Sequence, residues 1–295
     1  MKKANKVLGM VLATACVASC MASCGVLANN SESAATNTLA IGKEMITQKS
    51  QLDALTQLKA GTVDAVVIDS VMAGYYSTSG DFAGQVKVVE NLVLASESYG
   101  IAAKKGNNAF VSEINKALIA LTTDGTVNTV ATSFGLQNEI AVTADTTNPY
   151  ADATDGSWEA IKTDGEIVIG YTVFAPIAYT DNGALTGFDI ELAKEVVEYL
   201  NETYTLNLTV TFQEIQWSAK EALLENGTID LVWNGMTITD ERSEQMCISI
   251  PYLFNKQVAV VMVEDAAKYT TKESFKDAII GVESGSAGES VVKGE

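Results

Sequence analysis

The residues with the most chemistry to offer are Arg242, Asp69 and Thr237. Arg242 is the single arginine among 19 basic residues and ends the segment Asn234-Gly235-Met236-Thr237-Ile238-Thr239-Asp240-Glu241-Arg242. A guanidinium presents a planar fork of donors that matches a carboxylate. Taken alone, Arg242 reads more readily as a surface arginine paired with Asp240 or Glu241. Asp69 shifts that balance, because it stands at the equivalent place in the other half of the chain. An acid facing an arginine and the Thr237 hydroxyl across a cleft is what a zwitterionic α-amino acid requires, one group for its ammonium and the others for its carboxylate. The chain has no histidine, which excludes a histidine base and the commonest zinc ligands.

The equivalence rests on an internal repeat. Leu58-Lys59-Ala60-Gly61-Thr62-Val63-Asp64 corresponds to Leu224-Glu225-Asn226-Gly227-Thr228-Ile229-Asp230, each reading as helix end, glycine stop and strand start. Counted from each glycine, strands at 63–68 and 229–233 deliver Asp69 and Gly235 to equivalent carboxyl ends, where open α/β sheets bind ligands. Around the repeat, helix and strand patterns alternate. Leu52, Leu55 and Leu58 mark a helix face. Phe188, Leu192, Val196 and Leu200 recur every four residues behind Asp189, an expected N-cap. Further strands are expected at 166–171, 208–212 and 258–263. The fold class is therefore α/β, with two lobes, each an open and mostly parallel sheet flanked by helices, and a ligand cleft between them. Trp217 and Trp233 are assigned to the core.

Lys2, Lys3 and Lys6 precede an apolar run at 7–17 and small residues around Cys20 and Cys24, the pattern of a secretion signal too short to span a membrane. Val17-Ala18-Ser19-Cys20 has the aliphatic and small residues that lipoprotein signal peptidases require, and Met21-Ala22-Ser23-Cys24-Gly25 is a second candidate, so Cys20 or Cys24 is the expected lipid anchor. Residues 1–24 read as the signal and 25–38 as a flexible tether. Beyond the leader only Cys247 remains, leaving no disulfide within the chain. The formal charge of −18 makes nucleic acid an improbable partner and suits a soluble exported surface.

Beyond this point the chain resembles a known family, the solute-binding proteins of polar amino-acid ABC transporters, with the type II periplasmic-binding-protein fold. The resemblance is carried by Phe174-Ala175-Pro176-Ile177-Ala178-Tyr179, Gly187-Phe188-Asp189-Ile190-Glu191-Leu192-Ala193, the stretch ending in Arg242, Ser249-Ile250-Pro251-Tyr252, Gly285-Ser286-Ala287-Gly288-Glu289, and the stretch from Gly61 to Asp69. It implies that Phe174 stacks on the ligand side chain, that Gly235 and Thr237 supply backbone and hydroxyl groups, and that Arg242 clamps the carboxylate. Ser286 and Ala287 would complete the carboxylate site and Asp69 would hold the ammonium. It also implies a monomer that takes a free polar amino acid, without a cofactor or metal, and passes it to a membrane permease of an ABC importer from the outer face of the cell membrane or the periplasm.

Chain order departs from that family. Its members run from the Phe174-like motif through the arginine motif and the glycine-rich turn to the Gly61–Asp69 unit, and then to a segment like Asp124–Leu136; here the last two come first. The chain thus reads as a circular permutant, or as part of a tandem array whose copies exchange halves. Under the first reading, 39–99 and 256–295 build one lobe, 157–255 and 100–136 the other, 137–156 is a linker, and strands at 258–263 and 99–103 form a hinge. An enzyme on the same fold, such as a dehydratase, would need a general acid or base in the cleft, where Glu289 and Asp69 are the acids the sequence offers. A sensory ectodomain would need a spanning helix. Ligand identity is not legible beyond an expectation of a polar, uncharged side chain such as that of glutamine or cystine.

Overall fold

The computed structural model describes residues 39–295. The expected signal, the tether, Cys20 and Cys24 lie outside the described residues. The first part of the chain forms β1 (Glu44–Gln48), α1 (Gln51–Lys59), β2 (Ala65–Asp69), α2 (Ser70–Thr78), β3 (Val86–Lys104), α3 (Asn108–Thr123), α4 (Thr126–Ser133) and α5 (Ser157–Asp164). There follow β4 (Glu166–Tyr171), β5 (Tyr179–Asp181), β6 (Ala184–Thr186), α6 (Phe188–Tyr204), β7 (Thr209–Glu214), α7 (Lys220–Glu225) and β8 (Leu231–Thr237). The chain closes with α8 (Asp240–Gln245), β9 (Met246–Ile248), β10 (Leu253–Met262), β11 (Ile279–Glu283) and α9 (Ala287–Lys293).

The main sheet runs β1-β11-β2-β10-β3-β8-β4-β7, with β9 against β3. Pairing is parallel at both ends and antiparallel in the middle, so the order of senses is the same from either edge. Residues from β2 alternate between two apolar clusters: Val66 and Ile68 face one, Ala65 and Val67 the other. In β8, Leu231 and Trp233 likewise face the first cluster and Val232 a third. Both faces are covered, which is why these strands read as continuous apolar runs.

The internal repeat proves to be a repeated set of bonds. Gly61 and Gly227 both take φ near +72° (72° and 73°), a left-handed conformation that stops the preceding helix without a Cβ penalty. The Asp64 carboxylate accepts the Ile279 amide at 2.8 Å, and the Asp64 amide donates to the Ile279 carbonyl at 2.8 Å. In the other half, Asp230 does both with Val168 at 2.8 Å. Each aspartate thereby fixes its strand against the parallel neighbour, β11 or β4.

The strands of 39–99 pair with those of 256–295 within one chain: Glu44 stands opposite Ile279 and Ile68 opposite Val258. The two sheets are fused rather than separate, because β3 passes through both. Its crossing residues are Ala95–Tyr99, opposite Leu253–Gln257. This shifts the expected hinge by a few residues, since Val258–Val260 pairs with β2 and Tyr99–Ala103 with β8. Residues 137–156 carry no helix or strand but are docked: Val142 is buried, the Asn148 amide reaches Ser112, and the Asp155 carboxylate accepts the Ala109 amide at the start of α3. Asp189 is not the N-cap of α6. Gly187 holds that position, and Asp189 lies buried in the first turn.

Candidate functional site

Strand ends converge on one pocket. It is lined by Asp69 from β2, Gly235 and Thr237 from β8, Arg242 from α8, Phe174 beyond β4, and Ser286 and Ala287 at the start of α9, with Gln51, Thr172, Trp217, Asn234 and Glu283 among the rest. All seven ligand residues expected from the sequence are therefore brought together. The pocket has a cavity volume of about 20 Å³. A wider cleft of about 970 Å³ shares Thr237, Arg242, Ser286 and Ala287 with it and opens outward.

Asp69 is buried and surrounded by donors. Its carboxylate accepts Tyr99 Oη at 2.7 Å, Gln257 Nε2 at 2.9 Å, and the side-chain amides of Asn255 and Gln51. Gln51 Oε1 in turn accepts the Asp69 backbone amide at 3.0 Å. A carboxylate offers about four lone-pair sites, so an incoming ammonium must displace one of these amides. Burial raises the Asp69 carboxyl above its ordinary range, opposed by the hydrogen bonds. Beside it, Glu97 accepts Asn255 Nδ2 at 2.6 Å and Gln257 Nε2 at 2.9 Å. Burial and the Asp69 charge push Glu97 up to about 8.

Arg242 spans the cleft. Its Nη1 donates to the Thr237 carbonyl at 2.8 Å and its Nη2 to the Gly285 carbonyl at 3.1 Å. Its backbone amide is held by Thr239 Oγ1 at 3.1 Å, the N-cap of α8. Among the described residues no carboxylate lies within ion-pairing distance of the guanidinium, which excludes the surface pairing with Asp240 or Glu241. Burial holds its pKa below the usual value, against the acids Glu221, Glu97 and Asp69. Lys220 lies nearby, over the Trp217 ring at 4.8 Å and paired with Glu221 at 2.8 Å.

Other expected groups already have partners. The Gly235 amide, expected to face the ligand, donates to the Asp189 carboxylate at 2.8 Å and lies 3.3 Å from Tyr252 Oη. Asp189 is pushed up to about 7 by burial. Gly235 has φ +59°, and a Cβ there would meet the Phe174 ring at 2.7 Å. Phe174 packs edge-on to Tyr99, centroids 6.4 Å apart. Ser286 Oγ accepts the Glu289 amide at 3.1 Å and so caps α9. Thr172 Oγ1 bonds Asn234 Oδ1 at 2.7 Å. Trp233 and Trp217 are both buried in apolar clusters as expected, and Trp217 also lines the pocket.

Sequence reasoning missed Gln51 and Glu283. Glu283 carried a usable signal, since Ile-Ile-Gly-Val-Glu283 ends an apolar strand on an acid as Ala-Val-Val-Ile-Asp69 does. Glu283 is 4% exposed and its Oε1 has no hydrogen-bond partner. Burial, and then Asp69, push it up to about 8. Among the described residues no group of acids and cysteines could hold a metal ion.

Residues 167–285, from β4 to the turn before α9, match the model of bacterial extracellular solute-binding proteins, family 3. This stretch of the chain is similar to that family. The match covers Phe174, Gly235, Thr237 and Arg242 but not Asp69, Ser286 or Ala287. A probable ABC transporter extracellular-binding protein, YckB of Bacillus subtilis (strain 168), is 30% identical over 131 residues, 43% of this chain and 44% of that protein. The L-cystine-binding protein TcyJ of Escherichia coli (strain K12) is 29% identical over 132 residues, 44% of this chain and 47% of that protein. The chain spans less than half the length of these relatives. A substrate-binding protein of an ABC uptake transporter from Streptococcus pneumoniae, solved with bound histidine, is 39% identical over 30% of this chain and 34% of its own, with a TM-score of 0.26.

Proposed function

We propose that this chain is an extracytoplasmic solute-binding lipoprotein that captures a free amino acid and delivers it to an ABC importer. The observation carrying this reading is the convergence of Arg242, Asp69, Thr237, Gly235, Phe174, Ser286 and Ala287 on one pocket. A guanidinium and a buried acid in that pocket match the two charged ends of an amino acid. Ligand touching both halves of the sheet would favour the closed state, which a transporter could then read. The binding proteins named among the relatives support this over catalysis. No described helix is long and apolar enough to cross a membrane, and attachment is assigned to Cys20 or Cys24.

The chain order is read as a single-chain circular permutant. This is supported by β1 and β2 pairing with β11 and β10 of the same chain, with residues 137–156 linking the segments that end and begin the family order. A thermal-shift panel of the common amino acids on the mature chain tests the function. At least one should raise the melting temperature in a concentration-dependent way, and no response to any of them would overturn the reading.

A further inference from the structure

The acids of the binding pocket are treated unequally. Of the two acids that line it, Asp69 has four donors; outside the lining, Glu97 has two, and Asp189 takes the Gly235 amide and the Tyr252 hydroxyl on Oδ2 while its own Oδ1, packed away from the pocket, has no partner. Glu283 lines the same pocket, is as buried as Asp69, and leaves Oε1 without a partner. A buried polar atom without a partner is costly, so such an atom in a pocket wall points to something outside the chain.

The repeat sharpens this. Asp64 and Asp230 fix Ile279 and Val168 as equivalent residues, which makes Glu283 the counterpart of Thr172 four positions further on. The Thr172 hydroxyl and backbone amide both donate to Asn234 Oδ1. In its place Glu283 presents a carboxyl to the pocket. The nearby cations do not satisfy it: Lys220 is paired with Glu221, and both outer nitrogens of Arg242 hold backbone carbonyls. A neutral amino acid needs one acid and one guanidinium, which Asp69 and Arg242 supply. Glu283 is then surplus. A ligand with a second positive charge would use it, and the Phe174 and Trp217 rings in the same wall suit the stem and head of a cationic side chain.

We propose that Glu283 is a specificity-determining residue that makes the pocket select an amino acid with a cationic side chain, an ammonium or guanidinium, over a neutral one of similar shape. This rests on the amino-acid-binding reading above and replaces the sequence expectation of an uncharged ligand. Calorimetric titration of the mature chain with L-arginine, L-lysine, L-citrulline and L-glutamine tests it. Arginine or lysine should bind at least about tenfold more tightly than citrulline and glutamine, and Glu283→Gln should collapse that ratio toward one. Glu283→Thr, which restores the residue type of the other half, should do the same and guards against a variant that fails to fold. If citrulline or glutamine binds wild type as tightly as arginine and lysine, or if folded variants keep the preference, the proposal is overturned while amino-acid binding stands. If no amino acid of the full panel binds, both fall.

Discussion

The Arg242 guanidinium donates to the carbonyl of Gly285, so the residue assigned to the ligand carboxylate also ties the two halves of the fold together. A carboxylate entering the pocket must share or replace the carbonyls of Gly285 and Thr237 as partners of the fork. Lysine keeps the charge but cannot reach two acceptors in one plane. Arg242→Lys is therefore expected to weaken amino-acid binding by at least about a hundredfold, while the melting temperature changes by the loss of roughly one hydrogen bond, about 1 kcal/mol. Calorimetry and a circular-dichroism melt check this. Near-native affinity would remove Arg242 from the carboxylate site.

The paired aspartates of the repeat should be structural and interchangeable in effect. Asp64→Ala and Asp230→Ala each leave a strand amide, that of Ile279 or Val168, without its acceptor. Each should cost about 2 kcal/mol, as expected for a bond to a charged group. Denaturant unfolding measures it. A loss at one site and none at the other would break the equivalence.

Stability should rise as the medium is acidified from pH 8.5 to 5.5. Glu97 and Glu283 are raised to about 8 and Asp189 to about 7, so between roughly pH 4.5 and 8 the folded chain holds protons that the unfolded chain has lost. The stabilising contribution is fully present below the unfolded pKa values and is lost as pH rises through the folded ones, at up to about 1.4 kcal/mol per pH unit for each group. Glu283 faces Asp69, Lys220 and Arg242, while Glu97 faces Asp69 and Tyr99. General repulsion at a formal charge of −18 acts in the same direction. The discriminating measurement is therefore Glu283→Gln, which should flatten the profile; an unchanged slope would refute its share.

Membrane attachment is tested by changing both Cys20 and Cys24 to serine. The double variant should leave the membrane fraction and, because its strands pair within one chain, scatter light as a single chain. Persistent membrane fractionation would end the lipoprotein reading, and a dimer mass would favour exchanged halves over a permuted monomer.

What could be read in the sequence was largely what strand ends determine. Asp69, Gly235 and the turn at Gly285 follow apolar strands, and the rule that open α/β sheets present ligands at those ends places them together without knowledge of tertiary contacts. What could not be read depends on side-chain reach. Asp189 satisfies an amide 46 residues away, which its spacing behind Gly187 does not reveal. Gln51 is an ordinary first residue of α1 until both its polar atoms are seen on Asp69. Residues 137–156 looked like a solvated linker because Asp, Asn and Thr dominate there, yet Asn148 and Asp155 use those polar groups to bind α3. Trp217 belongs to a core cluster, and its place just before α7 also brings it to the pocket wall, a second role that its residue type alone does not reveal.

The pairing of β1 with β11 has a consequence for biosynthesis. Glu44 waits for Ile279, well over two hundred residues later, and β2 waits for both of its neighbours. A ribosome adding about 5–20 residues per second leaves those strands without partners for on the order of ten seconds or more. During that interval Ala-Val-Val-Ile is an unpaired apolar edge of the kind that promotes aggregation. The half built around β4, β7 and β8 can condense first, since its parallel partners lie close in sequence. Nascent chains of this protein should therefore depend on holding chaperones for their N-terminal strands, and the order of assembly is set by which partner is synthesised last.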